Sequence, residues 1–208
     1  MKIERHSPSS LNLFCASPAM FVLERVLGRR QPVGAPAHRG MAVEAGVAHG
    51  LSTGEVDEAC IDVAASRYRT LMALSGDQRR EKYGDTIPAM VARALSELRP
   101  YGAPTRSQGF VEWHPDGLRC PIIGYFDFAW ADLGIVVDLK TTAALPSEIK
   151  VPHARQVALY ASSDNLDARL TYVTPAKSAT YRLENIREHR NALHRIALTV
   201  ERFLSITS

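Results

Sequence analysis

Gly124-Tyr125-Phe126-Asp127-Phe128-Ala129-Trp130, followed by Ala131-Asp132-Leu133-Gly134 and then Ile135-Val136-Val137-Asp138-Leu139-Lys140-Thr141, is the run on which the fold turns. β-branched and aromatic residues dominate both flanks, and turn formers lie between them, so the run reads as a β-hairpin. Side chains alternate along a strand: Asp138 and Lys140 share one face and Leu139 takes the other. A turn of two residues (Asp132-Leu133) or of four (Ala131 to Gly134) sets Asp127 directly across from Asp138, with Cβ atoms about 4.5–5.5 Å apart. A three-residue turn would send the two aspartates to opposite faces. Carboxylates that close repel, and one tends to stay protonated unless a cation neutralises both. Mg²⁺ suits such a pair, because it takes one or two carboxylates and keeps several waters. Lys140, on the same face as Asp138, supplies an ammonium able to stabilise charge developing on a phosphate. A metal there would activate a water and polarise the scissile phosphodiester.

The hairpin sits within a longer alternation of elements. Gln108–Trp113 and the turn Pro115-Asp116-Gly117 extend it to a three-stranded meander. Downstream, the pattern predicts a helix over Pro152–Ser162, strands over Leu170–Thr174 and Thr180–Leu183, and an amphipathic helix over Asn185–Leu204. Upstream it predicts a helix over Ser9–Gly28, capped by Ser9 or Ser10 and kinked at Pro18. A loop over Gln31–Ala37 and helices over His38–Leu51, Asp57–Ser75 and Ile87–Leu98 follow. The fold class expected is α/β, a mixed central β-sheet flanked by helices. One domain spans 1–208, with a mainly helical part (1–104), a sheet core with its helix (105–183) and a C-terminal helix (184–208).

Composition narrows the function classes. The net charge of +3 permits a nucleic-acid partner without demanding one. The clusters Arg29-Arg30, Arg79-Arg80 with Lys82, and Arg187, Arg190 and Arg195 each read as a solvated face. No apolar run reaches the ~20 residues a membrane span needs, and Met1–Ser10 carries no apolar signal core, so a cytoplasmic protein without a membrane role is expected. Cys15, Cys60 and Cys120 are too few and too scattered for a zinc ribbon or an ordinary iron–sulfur cluster, and all three are expected to be buried, inert thiols. No GxxxxGK[ST] pattern occurs, so any helicase must be a separate chain.

Three stretches taken together resemble the PD-(D/E)XK nuclease superfamily, nearest its RecB, Cas4 and phage-exonuclease branch: Gly124-Tyr125-Phe126-Asp127, then Asp138-Leu139-Lys140-Thr141, then Gln156-Val157-Ala158-Leu159-Tyr160. They match that branch's G-x-x-D, [ED]-x-K-T and Q-x-x-x-Y, and the opening Ser7-Pro8-Ser9-Ser10-Leu11 is similar to its usual start. The resemblance implies a restriction-endonuclease-like core and a metal-dependent deoxyribonuclease. It implies Asp127, Asp138 and the Leu139 carbonyl as ligands of Mg²⁺, with Mn²⁺ as a substitute. Lys140 becomes the catalytic lysine, and Gln156 and Tyr160, on one helix face, stand beside it. The branch also carries an acid or histidine on an early helix. Glu44 and His49 are the candidates; five apart, they sit roughly 140° from each other around a helix and would not reach one metal together. Glu44 is preferred, since a third carboxylate suits Mg²⁺ better than imidazole does. The cluster cysteines of Cas4-like relatives have no counterpart, so no iron–sulfur cluster is expected. The reading is an exonuclease acting on DNA in recombination or repair, phage-borne in one version and the separate partner of a helicase or recombination protein in another. An endonuclease on the same core and a silent DNA-binding module are the alternatives, and the oligomeric state is left open.

Overall fold

The computed structural model describes residues 3–161 and 167–206. Its sheet is built from Arg106–Trp113 (β1), Ile122–Trp130 (β2), Ile135–Thr141 (β3), Asp167–Val173 (β4) and Ser178–Arg182 (β5), in the spatial order β1-β2-β3-β4-β5. β1, β2 and β3 form the predicted antiparallel meander. The helix Val151–Tyr160 crosses over from β3 to a parallel β4, which makes the sheet mixed, and β5 returns antiparallel.

The helices supply the two outer layers. In chain order they are Pro8–Ala16 (α1), Pro18–Phe21 (α2), Ala35–Thr53 (α3), Asp57–Met72 (α4), Arg80–Gly84 (α5), Ile87–Leu98 (α6), Val151–Tyr160 (α7) and Ile186–Ile206 (α8). One layer is α3, α4 and α6, whose Val43, Val47, Cys60, Val91 and Leu95 pack with Phe128, Val137 and Leu139 from the sheet. The other is α1, α7 and α8, whose Leu11, Val157, Leu159, Leu193 and Val200 pack with Val136, Leu170 and Tyr172. β3, covered on both faces, is buried from Ile135 to Leu139, and so reads as a continuous apolar run interrupted only by Asp138.

Several boundaries differ from expectation, each for a local or a distant reason. The single helix expected over Ser9–Gly28 is three pieces: α1, α2 and a π-helical turn over Val22–Val26. Pro18 cannot donate to α1, and Ser17 is extended (φ −160°, ψ 100°), closing α1 while its side chain caps α2 at the Met20 N–H. Ser7, not Ser9 or Ser10, caps α1, in a reciprocal capping box with Ser10. α3 begins inside the expected loop, at Ala35, because the distant Asp77 carboxylate accepts the Ala35 N–H (2.9 Å) and Pro36 suits a first turn. α5 was not expected at all. The end of the helix expected to reach Ser162 lies outside the described residues. Cys60 is buried as expected, but Cys15 is exposed and Cys120 only half-buried, so the expectation of three buried thiols holds for one.

A buried polar staple joins the two ends of the chain. The Glu201 carboxylate on α8 accepts the backbone N–H groups of Arg119 (3.0 Å) and Cys120 (3.1 Å) and meets His6 Nε2 at 3.2 Å. Burial opposes ionisation of Glu201, yet the backbone donors and His6 hold its pKa below the ordinary carboxylate range. Burial pushes His6 the other way from a base's interest, below its usual value, so it is neutral and its Nε2–H serves the carboxylate.

Candidate functional site

The hairpin adopts the four-residue turn. Trp130 pairs with Ile135, Ala129 with Val136 and Phe128 with Val137, and Gly134 closes the loop in the left-handed region (φ 63°). The same register carried one residue further sets Asp127 across from Asp138. There the backbone ladder stops, and a side chain makes the next rung: Asp127 Oδ2 accepts the Leu139 N–H at 2.6 Å. The strand is also irregular at this point. Residues two apart on a regular strand share a face, but Phe126 packs against Tyr160 on the α7 side while Phe128 packs with the α3, α4 and α6 layer. Gln108, across β1 from Asp127, carries a positive φ of 55°, a conformation that costs about 1–3 kcal/mol and persists only where surroundings impose it.

Four charged groups meet at this opening. Asp138 is 1 % exposed and pairs through Oδ2 with the Lys140 ammonium. Its Oδ1 accepts Gln156 Nε2 at 3.2 Å. From the other layer, Glu44 on α3 contacts Gln108 Nε2 and hydrogen-bonds with Asp127. Burial raises the Glu44 pKa first, and the Asp138 charge adds to it, against the hydrogen bonds from Gln108 and Asp127. Burial likewise drives Asp127 well above its ordinary value, reinforced by the charges of Asp138 and Glu44. Burial opposes the charge on Lys140, but Asp138, Asp127 and Glu44 outweigh it and hold its pKa above the usual lysine value. One ammonium therefore faces three carboxyls, two of which resist ionisation. A divalent cation would remove that resistance, and a donor set of carboxylate oxygens suits a hard cation such as Mg²⁺.

α7 supports this arrangement from beneath. Gln156 gives Nε2 to Asp138 and to the Tyr160 hydroxyl, the latter at 2.7 Å. Tyr160 is 2 % exposed, and burial pushes its hydroxyl far above the usual range, so it stays a neutral phenol that orients Gln156 from within the core. Gly124 explains itself here: a Cβ at that position would lie 2.8 Å from the Tyr160 ring and 2.9 Å from Leu159. Only a residue without a side chain lets α7 lie this close to β2.

Of the early-helix candidates, Glu44 joins the cluster and His49 does not. His49 Nε2 pairs with Glu55 at 2.7 Å, at the exposed C-terminal end of α3. The glycine before it in sequence, Gly46, serves packing, because a Cβ there would come within 2.5 Å of the Cys60 carbonyl on α4. Sequence reading missed three residues around the site. Gln108 holds Glu44, and nothing local announces it. His153 on α7 meets the Tyr172 hydroxyl through Nδ1 at 2.7 Å. Its signal was available, since it stands three residues before Gln156 and so on the same helix face. Tyr172 is the β4 neighbour of Lys140 in the parallel ladder.

From residue 5 to residue 207 the chain matches the sequence profile of the PD-(D/E)XK nuclease superfamily. The chain belongs to the PD-(D/E)XK nuclease superfamily. The five-stranded mixed sheet between helical layers is the restriction-endonuclease-like α/β core expected for that membership. A PD-(D/E)XK chain is a nuclease of a kind that generally uses divalent metals such as Mg²⁺ and acts on DNA. No curated protein matches this chain. Among solved structures, that of SSO0001 is 16 % identical, covering 77 % of this chain and 85 % of its own, with a TM-score of 0.38, too loose a likeness to carry an argument. Among the described residues no helix is long and apolar enough to cross a membrane.

Proposed function

We propose that this PD-(D/E)XK protein is a Mg²⁺-dependent DNA exonuclease of recombination or repair, with Mn²⁺ able to replace Mg²⁺. One observation carries the reading: Glu44, Asp127 and Asp138 converge with Lys140 where the β2–β3 ladder opens, and burial leaves two of the carboxyls short of compensating positive charge. In this reading Asp127, Asp138, Glu44 and the Leu139 carbonyl hold the cation. A cation bound there supplies an attacking water of lowered pKa and neutralises charge on the scissile phosphate.

The chain's own groups do the rest. Lys140, charged and half-buried, offers its ammonium to the oxygen on which negative charge develops. The Leu139 N–H fixes the Asp127 carboxylate, and Gln156, oriented by Tyr160, fixes that of Asp138. The assignment to an exonuclease, and to a task shared with a separate helicase or recombination protein, follows the likeness of the three motifs to the RecB, Cas4 and phage-exonuclease branch.

The test is incubation of linear and of closed circular DNA with Mg²⁺, with Mn²⁺ and with EDTA. Metal-dependent loss of linear DNA alone is expected. Cutting of the circle would replace the exonuclease by an endonuclease on the same core. Salt-sensitive binding without any cleavage would leave a silent DNA-binding module.

A further inference from the structure

His153 lies on the α7 face that carries Gln156, itself bonded to Asp138, and meets the hydroxyl of Tyr172, the β4 neighbour of Lys140. The Tyr172 hydroxyl oxygen accepts the Lys150 backbone N–H at 3.2 Å and lies 2.7 Å from His153 Nδ1. Burial pushes the Tyr172 hydroxyl above its ordinary pKa, so it keeps its proton. With one lone pair engaged by Lys150, the hydroxyl turns its proton and its remaining lone pair towards His153 Nδ1, and the proton donates to Nδ1 in the tautomer inferred below. Burial, with Lys140 and Lys150 adding to it, holds the imidazole below its usual pKa, which makes it neutral. A neutral imidazole that accepts at Nδ1 must carry its own proton at Nε2.

We propose that His153 is a substrate-contacting donor of this nuclease site: Tyr172 locks the imidazole in the Nε2–H form, and Nε2–H donates to a non-bridging oxygen of the bound phosphodiester. The inference rests on the nuclease reading and deepens it by adding a neutral donor beside the charged Lys140. A neutral donor fits this position. A second cation next to Lys140 would compete for the same carboxylates and repel a divalent metal, whereas an N–H dipole serves the phosphate without either cost. Tyr172 is then a positioning residue. It touches His153 and not the substrate.

The experiment has two arms. In the first, ¹⁵N-histidine-labelled full-length protein is examined by NMR in EDTA. His153 should show a pyridine-like Nδ1 and a protonated Nε2, and Tyr172→Phe should convert this to a mixture of tautomers. In the second, cleavage of linear DNA is measured for variants at His153. His153→Ala should lower kcat/KM on the order of 10–100-fold, as expected for a lost hydrogen bond to a charged oxygen. His153→Gln, whose amide nitrogen reaches where Nε2 lies, should recover most of that loss. His153→Asn, whose shorter amide reaches only where Nδ1 lies, should not. A merely structural role would not separate these two amides. An Nδ1–H tautomer in the wild type, full activity in His153→Ala, or equal activity of the Gln and Asn variants would overturn the proposal. If wild-type protein cleaves nothing, the nuclease reading fails separately. In that case the inference is decided by adding an oligodeoxynucleotide to labelled Lys140→Ala protein, and an unmoved His153 Nε2–H resonance overturns it.

Discussion

Glu44→Gln should make the metal-free protein more stable while sharply weakening its response to Mg²⁺. Glu44 and Asp127 both resist ionisation because burial strips their hydration and each lies near other carboxylates. The substitution is nearly isosteric. The new amide oxygen can still accept Gln108 Nε2, and its nitrogen can donate to an ionised Asp127, so the hydrogen bond between the two positions no longer needs a carboxyl held protonated. Replacing a poorly compensated buried charge in this way is often worth about 1–4 kcal/mol. The low end is appropriate here, since Lys140 already offsets part of the repulsion, and about 1–2 kcal/mol corresponds to a rise in Tm of about 2–8 °C for a chain of this size.

The pH dependence adds a signature. Raised carboxyl pKa values mean that the folded state holds protons that the unfolded chain has already released. Stability of the metal-free protein should therefore fall as pH rises from the ordinary carboxylate range towards the folded-state values, and Glu44→Gln should flatten that fall. Mg²⁺ at about 100 times its Kd should stabilise the wild type by about 2.7 kcal/mol, and the variant by much less. Thermal unfolding in EDTA and in Mg²⁺, from pH 5 to 8, reads all of this. A variant less stable than wild type in EDTA at neutral pH, or equally stabilised by Mg²⁺, would refute the argument that these carboxyls are crowded for want of a cation.

Lys140→Ala should cut the cleavage rate by about 10²–10³-fold, as for loss of one preorganised electrostatic donor, with far-ultraviolet circular dichroism unchanged; cleavage at the wild-type rate would remove the lysine from the mechanism. Gly124→Ala, which forces a methyl group against Tyr160 and Leu159, should destabilise by about 1–3 kcal/mol in denaturant titrations. Glu201→Ala should orphan the Arg119 and Cys120 N–H groups and cost about 2–3 kcal/mol. Because the Glu201 pKa is lowered in the fold, its contribution is present above the ordinary carboxylate value and is lost as pH falls through the folded one. The wild type should thus lose more stability than Glu201→Ala on acidification, and parallel pH profiles would contradict the staple.

Much of the site was legible because its signals are local. Strand period and turn chemistry brought Asp127 and Asp138 to opposing positions, and the four-residue option was among the registers the sequence allowed. Helical period put Gln156 and Tyr160 on one face. What the sequence left open was decided by contacts between distant segments. It offered both Glu44 and His49 as partners for the strands, preferring Glu44 only on ligand chemistry, and the docking of α3 on β3 turned Glu44 inward and left His49 beside Glu55. Tyr160 read as a residue beside the chemistry, whereas burial under β2 makes it a support for Gln156. Gln108 gave no sign of its role, because its strained backbone and its contact with Glu44 exist only when β1 lies against β2 and under α3.

The sequence by itself determined the strands, their alternation and the identity of the charged pair at their centre, since each follows from steric preferences spanning a few residues. The tertiary structure alone decided which charges share a low-dielectric space. That depends on how helices far apart in sequence pack onto the two faces of one sheet, and on where a backbone ladder gives way to a side chain. The electrostatic strain that points to a cation belongs to that second category, because burial and distance, not residue type, set its size.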